Sequence, residues 1–248
     1  MTPARMKTMR TMNKVLVAIA AACVAVAAVA QQEAVIRRNL TERLPMMGKI
    51  DEVTKAPVPG LYEVRVGSEI YYTDAEGNYV IHGQIVDARQ KRNLTEERLN
   101  KLTAIDFGAL PFKDSFTLVR GNGKRKMVLF EDPNCGYCKR FERDMQKVND
   151  VTVHVFLYPI LGDDSVDKSR GIWCSRDPGK TWQDWMLRNV AIPKAPSPGC
   201  DASALDRNRE LGRKHQVTGT PTLVFPDGRR VPGAITSSDV EKLLAEAK

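Results

Sequence analysis

The segment EDPNCGYCKRF, residues 131–141, decides how this chain is interpreted. It directly follows the apolar run MVLF, residues 127–130, and contains two of the five cysteines, Cys135 and Cys138. An apolar run of this kind is typical of a buried strand, and the residues after it have the spacing of a helix. The sequence therefore predicts two thiols in the first turn of a helix that follows a strand.

The predicted helix places the two thiols in different environments. Cys138 begins an apolar stripe that continues at helical spacing, so we expect it to face the core and Cys135 to lie exposed in the first turn. Asn134 is the expected N-cap. Free backbone N–H groups and the helix dipole stabilise a thiolate at this position, which predicts Cys135 as nucleophile and Cys138 as resolving thiol. The stripe consists of Cys138, Phe141, Met145 and Val148.

Nearby charges act on the Cys135 thiol in opposite directions. Glu131 and Asp132 oppose its ionisation, whereas Lys139 and Arg140 favour it. The sequence alone leaves this balance open.

A C-x-x-C motif can also belong to a haem site or a zinc site. A c-type haem site requires histidine as the next residue, and Lys139 stands there instead. A zinc site would need a second close pair of ligands, but Cys174 and Cys200 are 26 residues apart and have no histidine nearby. We therefore expect neither a cofactor nor a metal, and we expect His82, His154 and His215 to serve packing or face solvent.

The first thirty residues resemble an export signal. Four basic residues precede an uncharged apolar run from Val15 to Ala30, which ends in Ala28-Val29-Ala30. A run of 16 residues is shorter than the roughly 20 that span a bilayer. We therefore expect a signal peptide cleaved after Ala30 rather than a membrane anchor.

Cleavage changes the charge and the cysteine count. The net charge falls from +8 to +4, which is too small for nucleic-acid binding in the absence of an arginine-rich stripe. Cys23 is lost and four cysteines remain, an even number that suggests pairing in an oxidising compartment. Because Cys135 and Cys138 are set apart by their own spacing, Cys174 and Cys200 are expected to form a structural disulfide.

Residues 31–92 are expected to form a small sheet-rich unit. A short amphipathic helix opens it, and strand-like runs follow at 61–66, 69–74 and 78–87. A small sheet with open edges favours pairing with a second copy of the chain. The stretch from Asn93 to Ile105 is expected to be a helix capped by Asn93, within a linker of residues 93–110.

Residues 111–248 alternate strand and helix. Two strands, the cysteine helix and a third strand are followed by a largely helical stretch, a hairpin that turns at Asp227-Gly228, and a closing helix with a capping box of Ser238 and Glu241. This is the thioredoxin order with a helical insertion at about 160–215. In thioredoxin-like proteins a proline placed like Pro221, after Thr220, is cis and lies beside the cysteine pair, where the neighbouring backbone binds substrate as a short strand.

Taken together, these segments resemble the DsbC family of periplasmic thiol:disulfide interchange proteins over essentially the whole mature chain. The resemblance lies in IYYTDAEGNYVIHGQIVD, CGYC, GIWCSRD, Cys200 and GTPTLVFPDGRRVPG. It implies an α+β or α/β fold in which a small cystatin-like dimerisation domain and a linker helix precede a thioredoxin-like catalytic domain. Leu129 occupies the position where thioredoxin has a buried acid, so a different proton relay, or none, would serve Cys138.

The resemblance also implies a function and a set of site residues. The protein would act as a homodimer that reshuffles wrong disulfides in misfolded exported proteins, with chaperone activity, and a membrane reductant of the DsbD type would keep it reduced. By position, Cys135, Gly136, Tyr137 and Cys138 form the redox motif, Thr220 and Pro221 bind substrate, and Cys174 pairs with Cys200.

Three alternatives remain open at this point. A DsbG-like reductase and chaperone would share the architecture but act on folded or sulfenylated proteins; CGYC and Thr220 favour the isomerase. A DsbA-like oxidase would be a monomer without the N-terminal sheet unit. A chaperone dimer whose cysteines are incidental would keep its binding activity without Cys135.

Overall fold

The computed structural model describes residues 30–194 and 199–247. The chain divides into two units, Met1–Leu102 and Thr103–Lys248. The predicted signal peptide lies outside the described residues, apart from Ala30. Within the described ranges, no helix is long and apolar enough to cross a membrane.

The first unit is a helix packed on a four-stranded antiparallel sheet. Helix α1 covers described residues 30–43. The sheet has the order β1-β2-β3-β4. Ile36 and Leu40 of α1 pack against Val53 and Val64 of the sheet, so the apolar side of the helix forms the core of this unit. The strands are β1 (Glu52–Lys55), β2 (Tyr62–Val66), β3 (Glu69–Thr73) and β4 (Val80–Ile81).

The third strand-like run of this unit is broken, whereas the sequence predicted one strand over 78–87. After β4 the chain leaves the sheet and pairs again only at β5 (Val86–Asp87), with β6 (Arg92–Asn93). The cause lies at Ile85: its N–H donates to the Thr95 hydroxyl at 2.8 Å, and its carbonyl accepts from Leu94. Both groups are therefore used to hold the start of α2 (Leu94–Leu102), whose first turn Asn93 caps through the N–H of Glu96.

The second unit is built on a five-stranded mixed sheet with the order β11-β10-β8-β9-β7. Strands β7 (Phe116–Arg120) and β8 (Arg125–Glu131) follow each other in the chain but are not neighbours, because β9 (Val151–Leu157) lies between them. Strand β8 is parallel to β9, and the cysteine helix α3 (Gly136–Asp144) connects the two.

In the described part of the chain, three helices lie between β9 and the final hairpin. They are α4 (Asp163–Trp173), α5 (Pro178–Arg188) and α6 (Ser203–Lys214). The hairpin consists of β10 (Thr222–Val224) and β11 (Arg230–Pro232), and Gly228 adopts a φ of +84° in its turn. This order of strands and helices matches the predicted thioredoxin-like arrangement.

The closing helix α7 (Ser237–Glu246) begins earlier than its predicted capping box. Its N-cap is Thr236, whose hydroxyl accepts from the N–H of Asp239. Glu241 is not part of a capping box, because its carboxylate pairs with Arg125.

Alternation along β8 divides the core of the second unit between the two faces of the sheet. Met127 and Leu129 belong to an apolar cluster that includes Cys135, Cys138 and Phe141 of the cysteine motif. The intervening residues, Val128 and Phe130, belong to a second cluster with Phe156 and Tyr158. The face that carries odd-numbered residues of β8 therefore supports the cysteine helix.

Candidate active site

The sulfur of Cys135 lies at the N-terminus of α3, where it acts as the helix N-cap. It accepts a hydrogen bond from the backbone N–H of Cys138 at 3.0 Å. The predicted cap, Asn134, was one residue early. Its side chain instead donates to Asp164 and Ser165 and accepts from the ammonium group of Lys168.

Cys135 is buried, contrary to the expectation that it would be exposed in the first turn. Only 4% of its surface is accessible, whereas Tyr137 is 64% exposed. The cover comes from the segment before β10: the thiol of Cys135 lies 3.3 Å from the backbone carbonyl of Thr220, to which it donates. This contact joins residues 85 positions apart, so no local pattern around Cys135 could have indicated it.

Cys138 has the buried environment that the sequence predicted. Cys138 is completely buried, and the other members of the apolar stripe, Phe141, Met145 and Val148, are buried with it. Burial strongly raises the pKa of the Cys138 thiol, and its hydrogen bond to Cys135 and the nearby Glu131 carboxyl raise the pKa further. Cys138 is therefore a neutral thiol at physiological pH.

The pKa of the Cys135 thiol is lowered from 9.0 to about 6. The hydrogen bond from the Cys138 thiol is the largest cause. Burial opposes it, and hydrogen bonds from the Thr220 side chain and from the backbone N–H groups of Cys138 and Tyr137 lower the pKa further. Cys135 is thus largely a thiolate at neutral pH, which is the nucleophilic form.

The two cations that were expected to favour ionisation are directed at aromatic rings. The ammonium group of Lys139 lies 3.7 Å from the ring centre of Trp185 and donates to Asn189. The guanidinium of Arg140 lies 5.4 Å from the ring centre of Tyr137. Hydrogen bonds at the helix terminus, rather than these side chains, account for the low pKa of Cys135.

Asp132 organises the loop between β8 and α3. One of its carboxylate oxygens accepts from the N–H of Asn134 and the hydroxyl of Ser165, and the other accepts from the N–H groups of Ile160 and Leu161. These four hydrogen bonds, between 2.7 and 3.0 Å, tie the approach to Cys135 to the segment after β9 and to α4. From the sequence, Asp132 was expected only to oppose the ionisation of Cys135 through its charge.

Trp185 of α5 supports the same loop from another direction. Its indole N–H donates to the carbonyl of Pro133 at 2.6 Å. The loop before Cys135 is therefore held through both a carboxylate and an indole before the helix begins.

Thr220 lies directly against the Cys135 sulfur, and Pro221 follows it in the chain. The peptide bond between them is cis, and Pro221 is buried immediately before β10. The Thr220 carbonyl contacts the Cys135 sulfur, and the Pro221 carbonyl accepts from the N–H of Gly233. The remaining residues of the motif, Gly136 and Tyr137, are exposed in the first turn of α3.

Cys174 and Cys200 form a disulfide that joins the end of α4 to the segment before α6. The indole N–H of Trp173 donates to the carbonyl of Asp201 beside it. Cys135 and Cys138 are free thiols. Within the described ranges, no three His, Cys, Asp or Glu side chains are grouped so that they could hold a metal ion.

Two further buried carboxyl groups were not identified as part of the site. Glu131 ends β8 and Glu142 lies on α3, and both are almost completely buried. Two signals in the sequence could have located them: Glu131 continues the alternation of Met127 and Leu129, and Glu142 is four residues after Cys138 on the helix.

Comparisons with known proteins agree on the fold. The family model described as a thioredoxin-like domain matches residues 112–248, and the model described as the disulfide bond isomerase protein N-terminal domain matches residues 27–96. A crystal structure of a disulfide interchange protein from Neisseria gonorrhoeae is 37% identical, with a TM-score of 0.50, and the match covers 56% of this chain and 98% of that one. The predicted fold class is confirmed.

Curated relatives extend the similarity across both units. The probable thiol:disulfide interchange protein DsbC of Bordetella pertussis is 44% identical over 75% of this chain, and that of Bordetella avium is 40% identical over 79%. The chain spans 65% and 69% of the length of these two relatives. The thiol:disulfide interchange protein DsbC of Escherichia coli is 28% identical over 84% of this chain and 86% of its own length.

We expect Asp132→Ala to destabilise the reduced protein by about 3 kcal/mol or more, because it leaves the buried Ser165 hydroxyl and three partly buried N–H groups without an acceptor. Urea unfolding would measure the change. Asp163→Ala, which removes an exposed carboxylate from the first turn of α4, serves as the matched control and should change stability by less than about 1 kcal/mol. Equal effects of the two substitutions would contradict the organising role of Asp132.

Proposed function

The chain belongs to the DsbC family of thiol:disulfide interchange proteins, and from this premise we propose that it rearranges incorrect disulfide bonds in exported proteins. The observation that carries the proposal is the pair of free thiols one helical turn apart with opposite pKa shifts. One thiol attacks at neutral pH, while the other stays protonated until it is needed. The proposed setting is the periplasm, reached through the signal peptide cleaved after Ala30.

The reaction begins with attack of the Cys135 thiolate on one sulfur of a substrate disulfide. A bond forms between this sulfur and Cys135, the substrate disulfide breaks, and the other substrate sulfur leaves as a thiolate. If a different substrate thiol then attacks the mixed disulfide, a new substrate disulfide forms and Cys135 is regenerated. This isomerisation has no net change in oxidation state.

The same intermediate can also be resolved by Cys138. Its sulfur attacks Cys135, a Cys135–Cys138 disulfide forms, and the substrate leaves reduced. The protein has then been oxidised by two electrons and requires an external reductant before it can isomerise again. We assign this role to a membrane reductant of the DsbD type.

Two features beside the cysteines support binding of unfolded substrates. The backbone around Thr220 contacts the Cys135 sulfur, which suits it to hold a substrate strand against the reacting atom. Tyr137, Ile160 and Leu161 expose apolar surface next to the loop that Asp132 organises. An apolar rim of this kind would also give the protein chaperone activity.

The test is recovery of activity by a scrambled multi-disulfide substrate. We expect the wild type to restore activity, Cys135→Ala to abolish the rearrangement, and Cys138→Ala to accumulate mixed disulfides while it retains part of the activity. The matched control is Cys135→Ala in an aggregation assay, where it should suppress aggregation as well as the wild type does.

Rearrangement by Cys135→Ala at the wild-type rate would contradict the proposal and leave a non-catalytic chaperone. If the wild type reduced sulfenylated proteins but did not rearrange the scrambled substrate, the DsbG-like alternative would replace the isomerase.

We also propose that the protein is a homodimer joined through its first unit. Among residues 30–194 and 199–247, strand β4 ends the four-stranded sheet and is paired with a neighbour on one side only. Around it, Tyr79, Ile81 and Val86 expose large apolar side chains. An open edge with apolar side chains is suited to pairing with a second copy, and a dimer would hold two cysteine sites near one unfolded chain.

Sedimentation equilibrium tests the dimer. We expect the wild type to be a dimer and Ile81→Glu to shift it to monomers, because the charge would be buried without a partner. Val119→Glu is the matched control, since Val119 is an exposed apolar residue on β7, the edge strand of the other sheet. A wild-type monomer, or dissociation by Val119→Glu but not by Ile81→Glu, would contradict the proposal.

A further inference from the structure

Glu131 is a buried carboxyl group that the reaction described above does not use. None of its surface is exposed, and neither of its carboxyl oxygens accepts a hydrogen bond from any residue within 30–194 or 199–247. It ends β8, and its position continues the alternation of Met127 and Leu129, which pack in the same cluster as Cys138. The strand therefore directs the Glu131 side chain toward the face of the sheet that carries the cysteine helix.

The cysteine helix presents a second carboxyl group to this region. Glu142 lies one turn after Cys138 and is buried. It accepts a hydrogen bond from the indole N–H of Trp182 at 2.9 Å and pairs with Arg120 at 3.4 Å. Glu142 thus has a hydrogen-bond donor and a paired guanidinium, whereas among the described residues no donor lies within hydrogen-bond distance of the Glu131 carboxyl oxygens.

The surroundings of Glu131 favour the protonated form of its carboxyl group in the reduced protein. Burial raises the pKa of its carboxyl group well above the usual value, and the carboxylate of Glu142 and the charge of Cys135 raise it further. Arg120 acts in the opposite direction. With the Cys138 thiol, these are the charged and titratable groups that face Glu131 from β7 and α3.

Resolution of the mixed disulfide requires a proton acceptor near the Cys138 thiol. Cys138 attacks only as a thiolate, yet its thiol is completely buried and its pKa is strongly raised. With no exposed surface, the Cys138 thiol does not contact bulk water in the reduced protein. A carboxylate on the facing strand could accept the proton without exposing Cys138 to solvent.

We propose that Glu131 accepts the proton of Cys138 while Cys138 attacks the mixed disulfide. This inference rests on the proposed function. The proton moves from the Cys138 sulfur to the Glu131 carboxylate, the Cys138–Cys135 bond forms, and the bond between Cys135 and the substrate sulfur breaks. The substrate leaves as a thiolate. When Cys138 is reduced again, Glu131 returns the proton to it, and Glu131 takes up a new proton from solvent as Cys135 becomes a thiolate.

The negative charge of the Cys135 thiolate determines when Glu131 can accept the proton. While Cys135 is a thiolate, its negative charge opposes ionisation of Glu131. Formation of the mixed disulfide removes that charge, so the pKa of Glu131 falls, and its carboxyl group releases a proton to solvent and can then act as a base. Cys138 therefore meets a proton acceptor only after substrate is bound to Cys135.

Single-turnover kinetics of Glu131→Gln test the proposal. The substrate is two different peptides joined by a disulfide: release of the first reports attack by Cys135, and release of the second reports resolution by Cys138. We expect Glu131→Gln to slow the second release about a hundredfold at pH 7 and to leave the first within about twofold, because the neutral glutamine replaces a carboxyl group that is protonated in the reduced protein. Glu210→Gln, which changes an exposed glutamate on α6, should match the wild type in both steps.

The pH dependence separates proton transfer from a merely structural effect. In the wild type the second release should reach a plateau above the pKa of Glu131, whereas in Glu131→Gln it should rise about tenfold per pH unit because hydroxide becomes the base. Glu131→Asp should recover part of the rate and the plateau. Unchanged or faster second release in Glu131→Gln would overturn the proposal, since faster release means that Glu131 only opposes the Cys138 charge.

Two further observations keep this test independent of folding and of the proposed function. In the wild type, the infrared band of a buried protonated carboxyl group should disappear when Cys135 is alkylated at pH 8; a band that persists would contradict the proposal even if Glu131→Gln did not fold. Failure of the wild type to release even the first peptide would instead refute the disulfide-exchange function itself.

Discussion

The hydrogen bond from the backbone N–H of Cys138 to the Cys135 sulfur, 3.0 Å long, is the contact on which the rest of the site depends. It makes the proposed nucleophile the cap of its own helix, so this sulfur also satisfies a free donor of the first turn. The partial positive charge of the first turn comes from its backbone N–H groups, so rotation of a side chain cannot remove it. Buried surroundings would otherwise raise the pKa of this thiol.

The surrounding structure keeps the sulfur at that point. Asp132 and Trp185 fix the loop that enters the helix, and Thr220 covers the sulfur from the opposite side. On the buried side of α3, Cys138 and Glu131 have no surface exposed to solvent. The site therefore combines one ionised sulfur with one protonated sulfur because the first is bonded at a helix end and the second is buried along the helix.

Local patterns in the sequence predicted the parts of the site that depend on local physics. Helical spacing identified Cys138 as buried, and the strand–helix order indicated the thioredoxin-like fold. Three other features depend on contacts between distant segments. Thr220, 85 residues away in the chain, covers Cys135. Ile85 leaves its strand and hydrogen-bonds to the start of α2. Asp132 accepts hydrogen bonds from four donors in three segments.

Helix ends were predicted with an error of one or two residues. At α3 the cap is Cys135 rather than Asn134, and at α7 it is Thr236 rather than Ser238. Asparagine, serine and threonine all cap helices well, so composition alone does not select among neighbouring candidates. At α3 the choice has a chemical consequence, because the cap is the reactive sulfur.

The most direct test of this account is titration of the reduced protein by the ultraviolet absorbance of its thiolates. Because the pKa of Cys135 is lowered to about 6 and that of Cys138 is raised, one thiolate per chain should appear with a midpoint of about 6, and the oxidised protein should show no such change. Since the folded-state pKa lies below the usual 9.0, the extra stability of the reduced form should be lost as the pH falls through about 6. A midpoint near 9.0 would contradict the central role of the helix N-terminus, and so would two thiolates that titrate together.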